Sequence, residues 1–479
     1  MQFAYQIAED IASGRQTCES LVIQCLERIE ADNIKGRKLQ ALISVCPKDI
    51  VLALAKQRDT EVRSGKSQGP LHGVPIVIKD AIVTGPELGM TNTAGTEVIK
   101  AMKAKRNSDI VDRLLEAGLI ILGKSNMTEL CGLKDASTPM GYSTVGGQTL
   151  STFRQEGLSE KDQPIAGGSS SGSAVSIAAG FVPLAIGSET SGSNVFPASV
   201  SDVYGLTLSA GRVSTTGIWR ISNSFDRIGV MAGCPGDLRK LAEVICSDSI
   251  IVRDQVSLGD NLNFKVGVLD PTWGTWGQEW KQKWEKQKEP YEAFVKSLEA
   301  ICERVVYPLH LDEPNHLNLS GNGLHQVALY ECNTVVKGYL DQFENGGVTD
   351  MAAIVQWNKD HAELAMPKEH PGQSMLEDCL KLSTQMTPEI HRETIDQVKN
   401  LAGPKGVEKV MHEMGIDLIV SNSDATLVSY AAWLGWPIAT IPTGWRKENG
   451  QPCGVFVLAR ANQEDLLLKF MQAVRDSQT

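Results

Sequence analysis

The sequence predicts an α/β protein folded as a single domain, and three observations carry that reading. Segments with helical periodicity alternate with short apolar runs of strand length through most of the chain. No internal repeat and no stretch rich in Pro, Ser or charge divides the 479 residues, so 1–479 is read as one domain. A composition of 42% hydrophobic and 22% charged residues supplies a large core.

The elements follow in order. Thr17 is placed to cap a helix, with Glu19 in its first turn and Leu21, Val22, Cys25, Leu26 and Ile29 recurring at helical spacing. Leu39, Ala41, Ile43 and Val45 alternate as a strand does, and Lys48 to Ser64 reads as a helix stopped by Gly65. Val74 to Ile78 reads as a strand whose carboxyl end presents Lys79 and Asp80, the place where open α/β sheets gather ligand-handling residues. A helix from Ser108 to Ala117, closed by Gly118, leads into the strand Leu119 to Leu122 and the turn GKSNMTEL. A long polar loop after residue 140 precedes a small-residue helix, Ala174 to Ala179, ended by Gly180, and a short strand, Phe181 to Ile186. Residues 264 to 270 read as a strand and 289 to 302 as a helix, while Trp273, Trp276, Trp280 and Trp284 suggest an amphipathic helical face used for packing. Ile416 to Ser421, Pro437 to Pro442 and 454 to 458 restore the strand pattern, around the helix-like SYAAWLGW, and Gln463 to Arg475 is a closing helix.

Composition also excludes functions. A net charge of −11 leaves no basic excess to displace counterions, so no nucleic-acid partner is expected. No apolar run reaches membrane-spanning length, and the first residues lack a basic-then-apolar leader, which predicts a cytoplasmic protein without a membrane partner. Ten scattered cysteines with no C-x-x-C pair point to reduced thiols. The histidines show no metal-ligand spacing, so neither metal nor cofactor is expected.

The chemistry concentrates between Gly167 and Ser199, where two Gly/Ser turns bracket the helix and strand. Glycines let a backbone approach a ligand closely, so the stretch reads as a pocket walled by main-chain N–H groups. Three readings compete. Gly168 to Gly172 satisfies the G-x-S-x-G elbow with Ser170 as nucleophile, but only Pro164, Ile165 and Ala166 stand where its strand belongs. A phosphate loop lacks both its G-K-[ST] ending and its glycine spacing. In the third, a serine of the second turn is activated by Lys79 through the first turn. Lysine must be neutral to act as a base, so its pKa has to fall from about 10.4 to roughly 7 or 8. Burial among neutral hydroxyls achieves this, and serines relay protons without adding charge.

The strand-end lysine of GVPIVIKD, the turn GKSNMTEL, the runs GGSSSGSAVSIAAG and GSETSGSNVFPAS, and GRVSTTG followed by Asp226 together resemble the amidase signature family. The likeness is dense over about 70–230, resumes over 415–475, and is weak over the mainly helical segment 273–412. It implies an α/β/α sandwich with a large, mixed, twisted sheet flanked by helices, and a Ser-Ser-Lys amidase. Residue by residue it makes Ser193 the nucleophile, Ser169, 24 residues earlier, the bridging serine after a cis peptide bond, and Lys79 the base. Backbone N–H groups of Thr190, Ser191, Gly192 and Ser193 would form the oxyanion hole, with Ser170 supporting Lys79. The substrate implied is a small carboxamide. The acyl pocket is expected to be walled by the poorly matched segment 273–412 and by residues near Met127 and Cys131, where no family rule transfers.

The chain departs from the family in three places. Ser171 stands where the family has the first of two glycines. The usual Asp-Thr-Gly-Gly-Ser-Ile-Arg is here Glu189 to Val195, so Ser191 replaces a glycine, which predicts a narrowed pocket or a strained turn. Val195 removes an arginine expected to pair with the acid at 189. Acyl transfer or a transamidating role on the same fold, and a catalytically impaired binding protein, stand as alternatives. A homodimer is the expected oligomer.

Overall fold

Short strands and the helices between them follow the predicted alternation. A computed structural model of the chain describes residues 2–246, 263–274, 288–319, 321, 323–344 and 347–478. The strands among the described residues are β1 (Leu42–Val45), β2 (Pro75–Lys79), β3 (Ile120–Ser125), β4 (Tyr142–Ser143), β5 (Gly147–Gln148), β6 (Leu184–Glu189), β7 (Tyr204–Thr207), β8 (Arg227–Ala232), β9 (Phe264–Leu269), β10 (Cys302–Leu309), β11 (Leu418–Asn422), β12 (Ile438–Trp445) and β13 (Pro452–Ala459). β4 and β5 form a small hairpin inside the long polar loop, and the other eleven make one sheet in the order β1-β3-β2-β6-β8-β7-β12-β13-β11-β9-β10. The sheet is mixed: β3, β2 and β6 run parallel, as do β11, β9 and β10, and the strands between are antiparallel.

Strand alternation sends successive side chains to opposite faces. Leu418, Val420, Val455 and Val457 enter one apolar core, while Ile419, Phe456 and Leu458 enter the other. Helices cover both faces, giving the single-domain α/β architecture that the sequence implied. A third cluster joins Leu130 and Trp219 to Cys332, Tyr339 and Met351 of the helical segment.

Three differences have local causes. The predicted strand Phe181 to Ile186 begins only at Leu184. Gly180 takes φ +75°, its N–H and that of Phe181 close the helix Ser171–Ala178 on the carbonyls of Ile177 and Ser176, and Pro183 has no N–H to give. The helix expected to run to 302 stops being α-helical at Ser297, and the β-branched run from Cys302 pairs with β9 instead. Cys332 and Cys379, on the facing helices Leu324–Leu340 and Ser374–Gln385, form a disulfide, against the expectation that all ten thiols are reduced. Residues 47 apart carry no sequence signal of such a pairing. Trp276, Trp280 and Trp284 lie outside the described residues, and Trp273 sits in a turn with its indole N–H on the Leu311 carbonyl. No helix of the described residues is long and apolar enough to cross a membrane.

Candidate active site

Parallel pairing brings the carboxyl ends of β3, β2 and β6 side by side, and Lys79 is the last residue of the middle strand. Its side chain is fully buried. Nζ lies 2.7 Å from Ser169 Oγ, 3.0 Å from Ser188 Oγ and 3.4 Å from the Ser188 carbonyl. Among the described residues no carboxylate reaches ion-pair distance. The adjacent Asp80 is committed elsewhere: it pairs with Lys124 at 3.1 Å and accepts from the Thr93 hydroxyl and the Gly95 N–H. Burial therefore holds the Lys79 ammonium well below the ordinary lysine pKa.

The two serine turns meet over this lysine. Ser169 follows a cis peptide bond from Gly168 and is nearly buried. Ser170 does not touch Lys79. Its Oγ donates to the Ser188 carbonyl and accepts the Ser188 N–H, so it fixes the residue that does. Full burial of Ser170, and the absence of a strand over 164–168, remove the elbow reading. Ser188 was not singled out in the sequence. Its signal was its place at the end of the strand beside the lysine strand.

The loop Thr190 to Ser193 leaves β6 and enters the short helix Val195–Ser199. Gly192 takes φ +85° and Ser191 does not enter that region, so a serine at 191 needs no left-handed backbone. The N–H groups of Thr190, Ser191, Gly192 and Ser193 donate no hydrogen bond within the described residues. Ser193 gives its carbonyl to the Ser170 N–H, which ties the second turn to the first. Asn194 is fully buried in a slot between Gly187 and Gly229, which oppose each other in the β6–β8 register. A Cβ on Gly229 would stand 2.1 Å from Asn194 Cγ. Gly229→Ala is therefore expected to destabilise the protein by about 1–3 kcal/mol, read as a lower urea midpoint at unchanged m-value.

A cavity of about 450 Å³ opens over these residues, lined by Ser169, Ser191, Gly192 and Ser193 at one end. Cys131 also lines it, with Sγ 3.9 Å from Ser188 Oγ. Met127 does not: it is fully buried in the core beside Leu130 and Trp219. From the helical segment Met375 reaches the cavity, and Phe196, Val428 and Phe456 complete an apolar wall. Among the described residues, the charged side chains lining it are Asp135 and Asp424. Asp135 is bonded to Ser137 and Ser374, and Asp424 to Arg446 at 2.7 Å.

Comparison with known proteins agrees with this geometry. The family described as Amidase matches residues 20–468. A protein of Schizosaccharomyces pombe named as a putative amidase is 27% identical, over 89% of this chain and 77% of its own length. A glutamyl-tRNA(Gln) amidotransferase subunit of Chloroflexus aurantiacus is 35% identical, over 49% of this chain and 44% of its own. The peptide amidase of Stenotrophomonas maltophilia superposes with a TM-score of 0.86 at 25% identity, covering 99% of this chain and 96% of that one. With the fold, the lysine–serine cluster and a family match over nearly all its length, this chain belongs to the amidase family.

Proposed function

We propose that the chain hydrolyses neutral linear carboxamides through a serine acyl-enzyme. The observation that carries this reading is a fully buried Lys79 without a carboxylate partner among the described residues, 2.7 Å from Ser169 Oγ at a cavity that Ser193 also lines. A neutral amine has two hydrogens and one lone pair. Directed at the two Ser188 oxygens, the hydrogens leave the lone pair for the Ser169 hydroxyl. Ser169 then passes its proton to Lys79 as it takes one from Ser193, and Ser193 Oγ attacks the amide carbon. The carbonyl oxygen becomes negative beside the undonated N–H groups of residues 190–193. Collapse breaks the C–N bond, and the relay run backwards protonates the leaving amine. Water repeats the attack, frees the carboxylic acid and restores Ser193.

A fluorophosphonate probe tests the assignment. An adduct mapped to Ser193 is the expected result; an adduct on Ser170, or none, overturns it. The apolar wall, with no cationic side chain among the described lining residues, speaks for uncharged acyl groups. In a panel of primary amides, anilides and peptide amides, kcat/KM is expected to be at least ~10-fold lower for a substrate bearing a free carboxylate on its acyl part, since that charge is desolvated without a partner.

The amidotransferase match supports a second reading, in which an amine captures the acyl-enzyme or the released ammonia is handed on. Hydroxylamine separates the two. Hydroxamate formed in place of acid at millimolar acceptor marks transfer, and acid as the main product marks hydrolysis.

A further inference from the structure

Glu189, the last residue of β6, closes the nucleophile loop from behind. Its Oε2 accepts the N–H groups of Asn194 at 2.8 Å and Val195 at 3.0 Å, so one carboxylate ties together the two ends of the loop Thr190 to Ser193. That carboxylate is essentially buried and needs a compensating cation. Position 195 is a valine that lies in the same apolar cluster as Phe225, Trp433 and Phe456, and supplies no charge. The cation comes from another strand. Antiparallel pairing sets Arg227 of β8 directly opposite Glu189, with Nη2 3.6 Å from Oε1. Nη1 of Arg227 bonds to the Trp436 carbonyl, which anchors the guanidinium to the chain entering β12. The preceding residue, Asp226, accepts the Ile221 N–H.

The geometry points to Arg227 as the positioning residue of the oxyanion hole: it supplies from β8 the charge that compensates Glu189, and so keeps Glu189 fastened to both ends of the loop. The inference rests on the amidase reading above. Without the guanidinium, the buried carboxylate is left unpaired, its two charge-assisted bonds weaken, and the loop donors drift from the position where the oxygen turns negative. A misplacement of about 1 Å at such a site costs on the order of 100-fold in rate.

Arg227→Met, Arg227→Lys, Glu189→Gln and the double variant E189Q/R227M test this. Arg227→Met is expected to lower kcat about 10- to 100-fold with KM changed less than about 3-fold. The rate of fluorophosphonate labelling at Ser193 should fall in parallel, with partial recovery in Arg227→Lys. The double variant should lose little more than either single one, because the two residues act as one unit. Amide hydrogen exchange at Asn194 and Val195, whose N–H groups Glu189 holds, should quicken in Arg227→Met, a readout that stands even if no amide is ever turned over. Unchanged exchange there and full kcat per folded molecule in Arg227→Met would overturn the inference, as would additive losses in the double variant. An inert wild type, unlabelled at Ser193, sinks the amidase reading instead, and exchange still decides the role of Arg227 in holding the loop. If Arg227→Met does not fold, Glu189→Gln carries the same comparison.

Discussion

Lys79→Met is expected to abolish amide turnover, by ~10³-fold or more, in a protein that remains folded. The loss follows from removing the base that stands within hydrogen-bond reach of Ser169. The fold survives because a methionine of similar length fills the same fully buried site between β2 and β6 without a charge to desolvate. The pH dependence has a definite sign. Burial lowers the folded-state pKa of Lys79, so between that value and the ordinary lysine range the unfolded chain binds more protons than the folded one, and stability rises with pH. Below the depressed pKa both states are protonated and the full cost of burying the charge remains. Lys79→Met should therefore have a thermal midpoint at neutral pH equal to or above the wild type's, with the difference shrinking as pH approaches the ordinary lysine range. In the wild type kcat/KM should fall as pH drops through the depressed pKa, because a protonated amine cannot take the relay's proton. A Lys79→Met enzyme that retains turnover, or a wild type equally active well below that pKa, removes lysine as the base.

Ser193→Ala should be at least as damaging, by about 10⁴-fold or more, since no acyl-enzyme can form. Its structural cost should be small. Ser193 is only half-buried, and what ties the two serine turns is its main-chain carbonyl, bonded to the Ser170 N–H, which alanine keeps. Fluorophosphonate labelling should vanish with turnover, while stability stays within about 0.5 kcal/mol of the wild type. Labelling that persists in Ser193→Ala would move the nucleophile elsewhere on the cavity wall, to Ser191 or Cys131. Ser169→Ala offers the internal comparison. It keeps the nucleophile and the base but breaks the path between them, so labelling should slow rather than disappear.

Much of this was legible in one dimension. Lys79 at a strand end, the two Gly/Ser turns with their helix between, and the glycines that end helices all follow from local rules of periodicity and backbone freedom. Local rules also place eight of the eleven sheet strands to within a few residues, but not β7, β8 or β10, whose strand form comes from pairing with their neighbours. Register and packing are not local, and they decided the rest. Ser188 reaches Lys79 across 109 residues of sequence, and Arg227 faces Glu189 only because β6 and β8 pair in one register. Met127 and Cys131 are four residues apart, yet one fills the core and the other the cavity wall, since Leu130 and Cys131 take positive φ and turn the chain between them. Cys332 and Cys379 became partners when two helices docked. By itself the sequence determined which reactive side chains exist and at which ends of which elements they stand, because those follow from each residue's own backbone preferences. Which of them share a hydrogen bond or a buried charge was decided by the tertiary structure alone, because such partners come from segments that only the paired sheet and its packed helices bring into contact.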